Sequence, residues 1–299
     1  MPRLKTKAAK ESLLRRVRKQ RLKYVTILPS LITILNGVCG FVAVILASKG
    51  AFAMAGYIIL LAMIADMLDG RLARMSQSTS SFGGQLDSLC DIISFGVAPA
   101  FLMLEVLEKY KLADFTELNV AFASFLQRFI WLAAAAYISC AAIRLARFNV
   151  ENEEDESAHM SFIGLPTPAA AGVVVSLVIF HQEIILPELS LRNSPAYLRF
   201  CENAVIYALP FLILGAAVLM VSRIRYPHII NQYIKGKKPF AHLMWLLLGI
   251  GVIVWNLQVA LVLIFCGFAA SGFAKWFYYK VIRKRVPFAQ YLAKWEPEK

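Results

Sequence analysis

The chain has 299 residues, 59% of them hydrophobic, with a mean hydropathy of +0.61 and a formal net charge of +13. A chain this apolar is not a soluble domain, and it reads as an all-α, polytopic transmembrane helical bundle. The positive charge does not imply nucleic acid. The basic residues collect at the edges of apolar runs, no recognition fold is visible, and anionic lipid headgroups account for the charge.

Residues 1–24 form a basic tail, in which residues 13–23 read either as an interfacial amphipathic helix or as a solvated topology signal. No cleavable leader is expected, because the tail is long and no small-residue cleavage site follows the first apolar run. Runs long enough to span a hydrocarbon core of roughly 30 Å occur at residues 25–47, 51–75, 85–107, 120–143, 167–186, 204–221, 240–255 and 259–279. The expected organisation is therefore about eight membrane helices: a core over residues 25–222, then a loop, an extra hairpin and a basic tail over residues 223–299. Lys and Arg are concentrated on one set of turnarounds, including Arg71, Arg74, Arg144, Arg147 and residues 223–238, while the other set holds few. The positive-inside rule places both termini and that set of turnarounds in the cytoplasm.

The acidic insert over residues 148–166, with Glu151, Glu153, Glu154, Asp155 and Glu156, reads as a solvated loop. Its alternative role is a lid or a cation-recruiting surface. Cys39, Cys90, Cys140, Cys201 and Cys266 lie in or beside apolar runs without paired spacing, so they read as small core residues rather than disulfides or zinc ligands. His159, His181, His228 and His242 are scattered and suggest no metal site. The last hairpin carries no charged residue between His242 and Lys275 and reads as structural.

Four aspartates break the apolar pattern. Asp66 and Asp69 close the second run, and Asp87 and Asp91 open the third. An ionised carboxylate at membrane depth costs roughly 2.5–3.5 kcal/mol on insertion scales, so it requires a partner. Spacings of three and four put each pair on one helix face, and the short link between the helices, ending near Gly83 and Gly84, lets the two pairs face each other. Oxygen-only ligands select hard cations, Mg²⁺ or Mn²⁺, and two such ions handle phosphoryl chemistry. The competing interpretation is a structural ion network with Arg71 and Arg74. On the first span Pro29, Thr33, Asn36 and Gly40 share a face suited either to close helix packing or to reading a polar headgroup.

The complete pattern, Asp66-x2-Asp69-Gly70-x2-Ala73-Arg74-x8-Gly83-x3-Asp87-x3-Asp91, resembles the CDP-alcohol phosphotransferase family at every fixed position. At ordinary residue usage such a match arises by chance on the order of 10⁻¹⁰ per start position. The resemblance implies that all four aspartates bind metal and that Asp91 is the general base for the acceptor hydroxyl. It also implies that Thr33, Asn36, Asp69, Gly70, Ala73, Arg74 and Gly83 line the CDP site, and that the protein is a homodimer. Gly70 and Ala73 leave room for the nucleotide, and Gly83 lets backbone approach it.

Three further strings are Ser94-Phe95-Gly96-Val97-Ala98-Pro99, Arg144-Leu145-Ala146-Arg147-Phe148-Asn149 and Phe162-Ile163-Gly164-Leu165-Pro166-Thr167-Pro168. Together they resemble the bacterial membrane-type phosphatidylserine synthases within that family. This implies CDP-diacylglycerol and L-serine as substrates in a membrane of lipids, with Arg144, Arg147, Asn149 and Ser94 as ligands of serine or of the lipid phosphate. The aspartate pattern alone equally fits another acceptor, such as glycerol phosphate or inositol phosphate. A divalent-cation transporter is the alternative of a different class, disfavoured because the aspartates sit at one membrane level beside Gly and Arg.

Overall fold

Each expected span that falls among the described residues folds as a helix. The computed structural model describes residues 30–75, 81–112, 120–154, 161–190, 195–227 and 255–278. Among the described residues, seven helical segments are long and apolar enough to cross a membrane; the expected span at 240–255 lies almost wholly outside them. The elements are α1 Ser30–Ser48, α2 Phe52–Met75, α3 Ser81–Asp91, α4 Ala98–Leu107, α5 Val120–Glu154, β1 Ser161–Ile163, α6 Thr167–Phe180, α7 Leu186–Leu189, α8 Ala196–Val221, β2 Arg225–Pro227 and α9 Leu257–Phe277.

Local chemistry fixes the boundaries. Gly50, at φ +76°, ends α1: its N–H reaches Ala47 O at 2.9 Å, and the N–H of Ala51 reaches Leu46 O at 2.9 Å. This is the left-handed glycine cap that reverses the chain into α2. The third span is one continuous rod in which a π-helical turn, Ile92–Val97, joins α3 to α4. Pro99, in the first turn of α4, has no N–H to give the carbonyl of Phe95 four residues back. That carbonyl instead accepts the hydroxyl of fully buried Tyr137 at 2.9 Å. A proline that would weaken the rod thus becomes its attachment point to α5.

The bundle core is built of small side chains, with Ala43, Ala47, Ala55, Ala62, Ala98, Ala133, Ala134, Ala141, Ala170 and Ala171 all buried. Without a hydrophobic gain between helices inside lipid, close backbone approach is what holds them together. α1 crosses the motif helix most tightly. A Cβ on Gly40 would lie 2.5 Å from Ser94 Oγ and 2.7 Å from Ser94 Cα, and one on Gly37 would lie 2.9 Å from Cys90 Sγ. α6 sits at the centre, in contact with α2, α4, α8 and α9.

Two expectations are corrected. The acidic insert is not simply a loop. α5 continues through it to Glu154, and its far end forms β1, which pairs antiparallel with β2 (Ser161 with Pro227, Phe162 with Tyr226, Ile163 with Arg225). The straight-chain Glu residues sustain the helix, and the β-branched and aromatic run after residue 160 leaves it. The sixth span also begins earlier than residue 204, at Ala196, because polar Glu202 and Asn203 are carried within the helix. Among the cysteines, all are free thiols; Cys39 and Cys90 are buried as expected, but Cys201 is exposed.

Candidate active site

The aspartates sit where α2 ends and α3 begins. Asp66, Asp69 and Asp87 each place a carboxylate oxygen such that the three lie within 4.8 Å of one another. Asp69 is 3% exposed and takes hydrogen bonds from the Thr33 side chain and from the Gly70 backbone. Among the described residues, Asp69 Oδ2 and Asp87 Oδ1 are buried with no hydrogen-bond partner. A buried carboxylate oxygen left without a donor costs about 1–3 kcal/mol or more, and three carboxylates this close repel one another. A divalent cation removes both penalties, and an all-oxygen donor set is the set hard cations take. The residues present therefore fit the metal.

Asp91 differs from the other three. It lies one turn beyond Asp87, is 6% exposed, and accepts the Asn36 amide, Nδ2 to Oδ1, at 2.8 Å. The three-oxygen cluster does not include it. Asn36 is itself fully buried, and the Gly37 and Gly40 notches that bring α1 against Cys90 and Ser94 carry its side chain to Asp91. Thr33 and Asn36, on one face of α1, thus each hold one motif carboxylate. The first span serves close packing at Gly40 and carboxylate orientation one turn earlier.

Other sequence-selected residues divide between the rim and the packing. A Cβ on Gly70 would meet nothing within 4 Å, so the space beside Asp69 is open. Gly83 is partly exposed one turn before Asp87. The side chains of Ala73 and Arg74 lie outside the described residues. Ser94 is fully buried and donates to Asn36 O at 2.8 Å, which places it in the α1 crossing. Asn149 Nδ2 donates to Ser88 Oγ at 2.9 Å, and the Ser88 hydroxyl can then donate to Gly84 O at 3.1 Å. This tie fastens the end of α5 beside Asp87. Arg144 is 6% exposed and donates from Nε to Leu165 O at 3.2 Å; Arg147 is partly exposed. Arg144 lies two turns along α5 from Tyr137 and shares its face, the one turned toward the π-helical turn after Asp91.

Ser88 and Tyr137 were not singled out from sequence. Ser88 adjoins Asp87 inside the motif's variable positions. Tyr137 is a lone phenol in an alanine-rich span, and a polar tip there signals that some carbonyl needs a donor.

Carboxylates with orphaned oxygens at one end of a bundle of membrane-crossing helices form a candidate site whose all-oxygen donor set fits a divalent cation. Residues 26–219 match the CDP-alcohol phosphatidyltransferase family, and the chain belongs to it. It is 35% identical over 201 residues to a CDP-diacylglycerol–serine O-phosphatidyltransferase of Helicobacter pylori, covering 67% of this chain and 71% of that protein. It is 31% identical over 204 residues to an archaetidylserine synthase of Methanothermobacter thermautotrophicus, covering 68% and 70%. A CDP-diacylglycerol–serine O-phosphatidyltransferase of Bacillus subtilis is 31% identical over 201 residues, 67% of this chain and 90% of that one.

Proposed function

We propose that this protein is a phosphatidylserine synthase, transferring the phosphatidyl group of CDP-diacylglycerol to L-serine with release of CMP. The observation that carries the reading is the carboxylate cluster, Asp66, Asp69 and Asp87, with two orphaned buried oxygens, in a chain whose relatives bear serine phosphatidyltransferase names.

Asp66, Asp69 and Asp87 would hold the metal, Mg²⁺ or Mn²⁺ as two ions, with Asp91 at the margin of the cluster. Metal held there would supply positive charge to neutralise the pyrophosphate and the departing CMP. The chain's own residues do the rest. The open space at Gly70 admits the CDP head, and resemblance to the family adds Ala73, Arg74 and Gly83 to the residues that meet it. Asn36, donating to Oδ1 of Asp91, leaves Oδ2 to take the proton of the serine hydroxyl as its oxygen attacks phosphorus. The new bond is serine O–P; the bond that breaks is the anhydride P–O to CMP. Arg144 and Arg147 supply cations for the serine carboxylate and the lipid phosphate. The Lys and Arg bias supports placing this end of the bundle at the cytoplasmic face, where serine and the metal are available, and resemblance to the family supports a homodimer.

The acceptor decides the reading. Purified protein given CDP-diacylglycerol, Mn²⁺ and single alcohols should release CMP with L-serine at least about 10²-fold faster than with glycerol 3-phosphate, inositol or inositol phosphate. Polar groups built for a zwitterion are left unpaired by the others. Robust release with inositol phosphate and none with serine would overturn the serine assignment and leave the family membership intact.

A further inference from the structure

The last span lies beyond the region shared with the family, residues 26–219, yet it is seated on the core by two tight notches. A Cβ on Gly172 of α6 would lie 2.1 Å from the ring of Phe265, and a Cβ on Gly272 of α9 would lie 2.2 Å from Cε1 of Tyr226. Tyr226 is fully buried, packs on Phe268 with ring centroids 5.4 Å apart, and donates its hydroxyl to Ala269 O at 3.1 Å. Burial pushes its phenol up to about 12, so the hydroxyl keeps its proton and remains a donor.

Tyr226 is also the middle residue of β2, paired with Phe162 of β1. Immediately after β1 the chain is pinned twice more. Gly164 N–H donates to Ile224 O at 2.7 Å, and Leu165 N–H donates to Leu219 O at 3.0 Å. Gly164 sits at φ +82°, and a Cβ there would lie 2.3 Å from Met220 O, so only glycine fits. The carbonyl of Leu165, fixed by these contacts, is the one that accepts Arg144 Nε. A bond at Nε sets the plane of a guanidinium and hence the direction of its two terminal nitrogens.

We propose that Tyr226 is a positioning residue that couples the seat of the last span to Arg144, through β2, β1 and the Leu165 carbonyl, so that α9 tunes how the site holds the anionic group Arg144 binds. This rests on the assignment of Arg144 to the serine carboxylate or the lipid phosphate. The span outside the shared region then has a role that its sequence does not show.

Gly272→Ala drives a methyl into the Tyr226 ring, and Tyr226→Leu removes the hydroxyl and the ring without a clash. Steady-state kinetics of the purified full-length variants, varying L-serine and CDP-diacylglycerol in turn, should show the KM that Arg144→Ala raises also raised by about three- to tenfold in both variants, the other KM and kcat being little changed. In the Arg144→Ala background the same substitutions should add no further change. Effects that multiply in the double variants, or folded Gly272→Ala and Tyr226→Leu enzymes with both KM values as in the parent, overturn the coupling; if Gly272→Ala does not fold, Tyr226→Leu alone decides. An Arg144→Ala enzyme with both KM values unaltered overturns the assignment of Arg144 and the coupling with it, whereas an altered KM there that Tyr226→Leu fails to reproduce overturns the coupling alone.

Discussion

At one end of the bundle Asp66, Asp69 and Asp87 crowd their oxygens within 4.8 Å, with two buried oxygens that no described residue donates to. Toward the other end Glu183 is also carried inside a membrane-crossing segment, but its Oε2 receives the Tyr57 hydroxyl at 2.6 Å and the Gln258 amide at 2.5 Å. The two sites share α2, with Tyr57 about 18 Å along the helix axis from Asp69 at 1.5 Å per residue. Both put carboxylates where lipid disfavours them. Glu183 is satisfied by the protein's own donors and ties α2, the π-helical turn His181–Ile185 and α9 together. The aspartates are left wanting a cation. Burial alone therefore does not mark a functional acid; unmet coordination does.

The comparison is broken most severely by neutralising the aspartates. Asp66→Asn, Asp69→Asn or Asp87→Asn should lower CMP release by at least about 10²-fold, since the charge that holds the metal is gone. Without metal these proteins should melt no lower than the parent in detergent, because each removes like-charge repulsion. A loss of activity that tracks a loss of folded protein would contradict the account. Asn36→Ala comes next: freeing Asp91 should reduce kcat about tenfold with little change in either KM. Equal losses for kcat and binding would place Asn36 on the substrate instead.

Glu183→Ala has the opposite signature. It strands the Tyr57 hydroxyl and the Gln258 amide, and thermal or denaturant unfolding should show a loss of about 1–3 kcal/mol while turnover of the folded fraction is unchanged. An inactive, stable Glu183→Ala protein would move the functional boundary across the membrane. The smallest effect is that of Tyr137→Phe, which strips the Phe95 carbonyl of its donor. It should cost about 1 kcal/mol of stability, read as a lower melting temperature.

The aspartate end was legible because the chemistry needs carboxylates at spacings of three and four, and nothing else in an apolar run mimics them. The spans were legible from hydropathy, though not their ends: α5 outlasts its apolar stretch by running into the acidic insert to Glu154. The Glu183 site was not legible. Its partners come from residues 57, 183 and 258, and no spacing rule links positions so far apart. The π-helical turn after Asp91 was equally hidden, although Pro99 announces that the Phe95 carbonyl needs another donor. Asn36 was expected to contact CDP; its hydrogen bond to Asp91 was not foreseen, because it depends on how closely Gly37 and Gly40 let two backbones approach.

The central contrast is tested most directly by Mn²⁺ binding, followed by electron paramagnetic resonance on purified protein and independent of turnover. The parent and Glu183→Gln proteins should bind the ion alike, and Asp69→Asn should bind it at least about tenfold more weakly. Undiminished binding by Asp69→Asn, or its loss in Glu183→Gln, would contradict the assignment of metal to the aspartate end.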